Sequence, residues 1–131
     1  MGKRVAIIAS SGGIETAYKV LNIAMAATAT DAEVTIFFTF DGLGIIHKNS
    51  EQMLSFAPGN EHYEEGFKTA NIPPVSQMLA MALESGIKLI ACQMTMDVAG
   101  LKKEDFIDGV EVGGAVTFLD FAYDADVTVT F

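Results

Sequence analysis

The sequence predicts an α/β protein, a three-layer α/β/α sandwich built on a mainly parallel sheet of about five strands. Three observations carry this reading. Short apolar runs rich in β-branched residues recur along the chain, most of them end in Gly-, Ser- or Asp-containing loops, and segments with helical apolar spacing separate them. The best-defined runs are continuous rather than alternating, as expected of strands covered on both faces by helices.

Val5-Ala6-Ile7-Ile8-Ala9 reads as the first strand, closed by Ser10-Ser11-Gly12-Gly13. A helix follows, with Ile14, Ala17, Tyr18, Leu21, Ala24, Met25 and Thr28 on one face. Thr16, Val20, Ile23 and Ala27 form a second, mostly apolar stripe, which points to a subunit interface. Residues 33–40 give a second strand running into Asp41-Gly42-Leu43-Gly44, and complete a βαβ unit.

Residues 45–72 are the least regular, with a short helix expected within 46–56 and a polar stretch around 62–68. A connection this long is a candidate lid. Asn71, Ile72, Pro73 and Pro74 mark a helix entrance, and the helix is expected over 74–85 with Gly86 as its stop. Residues 87–91 form a third strand with Cys92 at its carboxyl end. A turn and brief helix follow to Gly100, then a further helical turn over 102–107. Residues 110–112 give a fourth strand, Gly113-Gly114 opens a helix to about residue 124, and residues 127–131 close the chain as a fifth strand. In that last helix Val116, Leu119, Ala122 and Tyr123 define one face, with Phe118 and Phe121 off it.

A chain of 131 residues fits one domain with a real core, and no repeat, linker or low-complexity segment divides it. Half the residues are apolar and only 19% are charged. Such a chain is expected to hide surface in an oligomer. Eight Lys and Arg against 17 Asp and Glu leave a net charge of −9. Nucleic acid and anionic membranes are therefore not expected as partners. The apolar run after Met1-Gly2-Lys3-Arg4 is too short for a signal peptide, no segment approaches bilayer-spanning length, and one cysteine forms no internal disulfide, so the cytoplasm is the expected compartment.

Ligands of open α/β sheets gather at the carboxyl ends of the strands. The loops there hold Ser10, Ser11, Gly12 and Gly13, then Asp41 and Gly42, then Cys92, Gln93, Met94, Met96 and Asp97, and finally Gly113 and Gly114. Only the third contains a cysteine nucleophile. A thiol where a strand leads into a helix meets backbone N–H groups and the positive end of the helix dipole, which favour its thiolate. The same position also suits a small buried hydrophobe, the common role of a free cysteine.

Ser10-Ser11-Gly12-Gly13 has the form of an anion cradle, but Glu15 opposes a bound phosphate, and the phosphate-loop Lys-Ser/Thr pair is missing. Asp41-Gly42-Leu43-Gly44 begins like a dinucleotide loop, yet His47 occupies the third glycine position. His47, His62 and Cys92 lack the spacing of zinc ligands, so no metal site is expected. Either histidine would assist Cys92 only if residues 45–72 folded over it; isolated loop histidines are usually solvated. Asp97 suits a cap on the helix after Cys92, and Met94 and Met96 suit either a soft pocket or gap-filling.

The run Ala91-Cys92-Gln93-Met94-Thr95-Met96-Asp97-Val98-Ala99-Gly100, followed by Asp108-Gly109-Val110-Glu111-Val112-Gly113-Gly114, resembles the DsrE/DsrF-like (TusD-like) sulfur-relay proteins. The likeness spans nearly the whole chain and includes the Ser-Ser-Gly-Gly loop and the aromatic strand Phe37-Phe38-Thr39-Phe40. The branch it is most similar to occurs beside, or fused to, rhodanese and TusA-like carriers. The resemblance implies a homo-oligomeric sulfur carrier or sulfurtransferase, without cofactor, that holds a persulfide on Cys92. Members without the cysteine resemble structural subunits. With no second cysteine to resolve the persulfide, sulfur must pass to a partner's thiol or a small acceptor, such as a rhodanese or TusA-like protein.

Two other readings stay open: a non-catalytic nucleotide- or metabolite-binding module lined by Cys92, and a structural subunit of an oligomeric sulfur-relay complex. The unpaired apolar stripes predict self-association. Light scattering or sedimentation at micromolar concentration is expected to give a mass above that of one chain, and a monomer contradicts it.

Overall fold

The structure, a computed structural model, describes residues 2–131. Its strands are β1 (Arg4–Ala9), β2 (Glu33–Phe38), β3 (Lys88–Cys92), β4 (Glu111–Gly113) and β5 (Val127–Thr130). They form one sheet in the order β4-β3-β2-β1-β5, with every neighbouring pair parallel. Its helices are α1 (Ile14–Ala29), α2 (Ser50–Met53), α3 (Tyr63–Thr69), α4 (Val75–Glu84), α5 (Gln93–Ala99) and α6 (Ala115–Ala122).

The chain steps outward from β1 through β2 and β3 to β4, then returns to the other side of β1 for β5. Parallel crossovers are right-handed, so reversing the direction of travel moves the connecting helix to the opposite face. Two apolar layers result. Strand residues Val5, Ile7, Ala9, Val34, Ile36, Phe38, Leu89 and Ala91 pack with Ala17, Val20, Leu21 and Ala24 of α1 and Val75, Leu79 and Ala82 of α4. Their alternates Ala6, Phe37, Ile90 and Cys92 face α6, where Phe118 stacks on Phe37 with ring centroids 5.3 Å apart. One helix of eight residues thus covers the second face.

Several sequence expectations change. β2 ends at Phe38, and Phe40–Ile45 winds into a 3-10 turn, so Asp41, Gly42 and Gly44 belong to a helical turn rather than an open loop. The polar stretch after residue 62 forms α3, and the expected helix within 46–56 shrinks to α2. Asn71 follows α3 in the left-handed conformation (φ 58°), so it ends one helix instead of opening the next; Pro74 takes the extended position before α4.

The second stripe of α1 is largely used inside the molecule, because α1 packs on both the sheet and α4: Val20 is fully buried and Ile23 is half-exposed. In α6 the two faces exchange roles. Phe118 and Phe121 turn inward, while Val116, Leu119 and Tyr123 remain exposed. Among the described residues no helix is long and apolar enough to cross a membrane.

Gly42 joins the first two strand-end loops. A β-carbon there would overlap the carbonyl oxygen of Ala9, which already accepts the Thr39 N–H at 3.0 Å. Both partners are backbone and neither can swing aside. Gly42→Ala is therefore expected to cost about 1–3 kcal/mol of stability, the range for overpacking, as measured by urea unfolding. An unchanged unfolding midpoint contradicts this contact.

Candidate functional site

β3 passes into α5 without an intervening residue, so Cys92 is both the last strand residue and the cap of the helix (φ −67°, ψ 115°). Strand alternation points its side chain to the α6 face, where it packs in the cluster of Ala6, Phe37, Ile90 and Phe118. In register beside it on β4 stands Gly113, whose missing side chain leaves that place to Thr117 and Ile90. Cys92 is only 5% exposed.

Two opposing effects act on the thiol. Burial, the larger single effect, raises its pKa by penalising the charged form. Against it stand the N–H and hydroxyl of Thr95, the hydroxyl of Thr39 and the N–H of Met94, and together they bring the pKa below that of an ordinary thiol. The two N–H groups belong to the second and third residues of α5, the positions a capping side chain serves. The neutral thiol makes no regular cap hydrogen bond there; stabilisation falls on the anion. With only seven residues in α5, these individual donors matter more than a helix dipole.

Ser10, Ser11, Gly12, Gly13 and Asp41 line a crevice of about 630 Å³ at the carboxyl ends of β1 and β2, together with Phe40, Leu43, Met53, Leu54 and Thr95. Cys92 is not among its lining residues. Thr95 links the two places, since it borders the crevice and is the third residue of the helix that Cys92 caps. Ser10 is engaged elsewhere: its N–H and hydroxyl both donate to the Phe131 carbonyl, at 2.8 and 3.0 Å. Gly42 supports the adjoining backbone.

The remaining candidates divide. Gln93 donates to Asp97 at 2.9 Å along the outside of α5, so Asp97 is a mid-helix surface partner and Cys92 holds the cap position. Met94 is exposed, whereas Met96 is buried in the core on the α1 side. Gly114 precedes α6. His47 accepts the Asn49 N–H through Nδ1 and sets its ring against Phe106, while His62 packs on Tyr63.

The 45–72 segment does not fold over the sulfur. Its Ser55 carbonyl accepts the Ile14 N–H, and Glu15 accepts from the Ala57 N–H and the Asn60 side chain. These bonds tie it to the start of α1, on the other face of the sheet from the Cys92 side chain. A second groove of about 690 Å³ between α1 and α3 contains none of the expected site residues.

Thr39 and Thr95 are the residues that sequence reasoning missed. The one available signal was spacing: Thr95 lies three residues after Cys92, where a capping residue's local partner stands.

Comparison with known proteins agrees with this architecture. The profile of the DsrE/DsrF/DrsH-like family matches residues 1–65 and 57–130, and the chain belongs to that family. It is 31% identical to the sulfur carrier protein DsrE2 of Allochromatium vinosum, over 95% of this chain and 96% of that one. It is also 31% identical to YrkE of Bacillus subtilis, over 97% and 96% of the two chains. The fold is similar to that of the ychN protein from E. coli, with a TM-score of 0.73 and 21% identity over the full length of both chains. MTH1491 from Methanobacterium thermoautotrophicum has a TM-score of 0.70 at 12% identity, covering 97% of this chain and 98% of its own.

The lowered pKa predicts two behaviours. Thiolate absorbance in the ultraviolet, with Cys92→Ser as the blank, is expected to titrate below an ordinary thiol. An acid whose pKa falls on folding contributes stability fully above its unfolded pKa and loses it as pH falls through the folded one. The unfolding free energy of wild type relative to Cys92→Ser should therefore increase as pH rises across that interval. A constant or decreasing difference contradicts the donor arrangement.

Proposed function

We propose that this chain is a sulfur carrier that accepts sulfane sulfur on Cys92 as a persulfide and gives it to a partner thiol. The supporting observation is the placement of the only cysteine: it is buried at the cap of α5, where the N–H groups of Thr95 and Met94 and the nearby hydroxyls hold its pKa below that of an ordinary thiol. The 31% identity to a sulfur carrier protein adds to this reading. The Cys92 thiolate attacks the outer sulfur of a donor persulfide, the donor's S–S bond breaks, and the donor leaves as a thiolate. An acceptor thiolate then attacks the outer sulfur on Cys92, the new S–S bond breaks, and Cys92 leaves as the thiolate. No net oxidation occurs and no cofactor is consumed.

A rhodanese or a TusA-like carrier supplies suitable donor and acceptor chemistry. Met94 on α5 and Val116 on α6 are exposed on the two helices whose first turns flank Cys92. Such apolar positions suit a protein surface, either a second copy or the exchange partner. The crevice beside Asp41 favours a second reading, in which the chain binds a nucleotide or metabolite there independently of Cys92. Thermal-shift measurements against nucleotides test it.

Exposure to thiosulfate, polysulfide or a persulfidated rhodanese, followed by intact-mass measurement, is expected to add one sulfur atom to wild type and none to Cys92→Ser. A thiol reductant should remove it. No addition to wild type, or equal addition to the variant, overturns the carrier reading.

A further inference from the structure

The Thr39 and Thr95 hydroxyls are hydrogen-bonded to each other at 3.1 Å. Thr95 Oγ1 also accepts the Phe40 N–H at 3.2 Å. Thr95 is 6% exposed, and Phe40 holds a left-handed backbone (φ 49°) that is costly for a bulky side chain. The Phe40–Thr95 bond is thus part of what maintains the turn after β2. Each hydroxyl has one hydrogen, and the bond between them uses one of the two.

Thr95 is the third residue of the helix that Cys92 caps, and Thr39 and Cys92 each follow a member of the paired residues Phe38 and Ala91, so both threonines stand beside Cys92. We infer that Thr39 and Thr95 act as a redundant pair of positioning residues that delivers one hydrogen bond to the Cys92 sulfur when it is a thiolate. Either Thr39 donates to Thr95 and Thr95 to sulfur, or the order reverses. Removing one hydroxyl frees the other to donate directly, so the bond to sulfur survives; removing both eliminates it. The two residues differ in structural duty, because only Thr95 accepts the Phe40 N–H.

The apolar neighbours Ala6, Phe37, Ile90 and Phe118 bring no competing charge to the sulfur. Charged side chains on the surrounding elements are Arg4 on β1, Glu33 on β2, Asp41 on the turn after β2, Lys88 on β3, Glu111 on β4, Asp97 on α5 and Asp120 on α6; Arg4 is half-buried and paired with Glu33 at the far end of the strands, and the others are exposed. Solvent screens them. The inference rests on Cys92 being the titrating thiol and not on sulfur being its cargo, so persulfide formation by wild type is measured separately.

The test is the pH midpoint of thiolate absorbance in Thr39→Val, Thr95→Val and the double variant, each against its own Cys92→Ser blank. A hydrogen bond to a charged group corresponds to an upward shift of about one pH unit in the double variant, and each single variant should shift by less than about a third of that. Thr39→Val combined with Thr95→Ser keeps one hydroxyl and should retain the wild-type midpoint. Thr95→Val should lower the unfolding temperature more than Thr39→Val, since it alone orphans the Phe40 N–H. If the double variant does not fold, Thr39→Val with Thr95→Ala replaces it. Single shifts that sum to the double shift, or a folded double variant with no shift, overturn the inference.

Discussion

Every strand in this sheet runs in the same direction, and most of the molecule follows from that constraint. A parallel pair cannot be joined by a tight turn, so each connection carries the chain back across a face and each strand delivers its carboxyl end to one common edge. The return to β5 beyond β1 puts α6 alone on its face, while α1 and α4 share the other. The crevice and the thiol both lie at the common edge, but they open differently, because alternate residues of a strand point to opposite faces.

The absence of a loop residue between β3 and α5 gives Cys92 two structural roles at once. As a strand residue it faces an apolar layer that disfavours charge. As a cap it faces unpaired N–H groups that favour charge. Serine or aspartate is the usual resident of such a position, and sulfur here occupies the place of their oxygen. The balance is then set by hydroxyls drawn from the end of β2 and the first turn of α5.

The strands were legible because their β-branched runs are nearly continuous, and the position of Cys92 followed from the strand that precedes it. The resemblance carried by residues 91–100 correctly indicated the family. What was not legible depended on contacts between distant segments. Thr39 and Thr95 are 56 positions apart, and neither belongs to a pattern that announces the other. The turn at Phe40 and the stop at Asn71 need left-handed residues that are not glycine, so the usual sequence punctuation is missing. In α6 apolar residues occur on both sides, and the apolar strand residues beneath it, Phe37 among them, receive Phe118.

A sulfur that is both stabilised as an anion and nearly enclosed separates two properties that normally vary together in proteins. Its nucleophilic character is fixed by donors within the fold, whereas the frequency of its encounters is fixed by the apolar layer and by α6 above it. For the sulfur carrier proposed above, selection among reagents would then operate by shape rather than by electrophilic strength. Small oxidants and bulky disulfides would face the same charge, but only a molecule that passes the apolar layer under α6 would meet the sulfur itself.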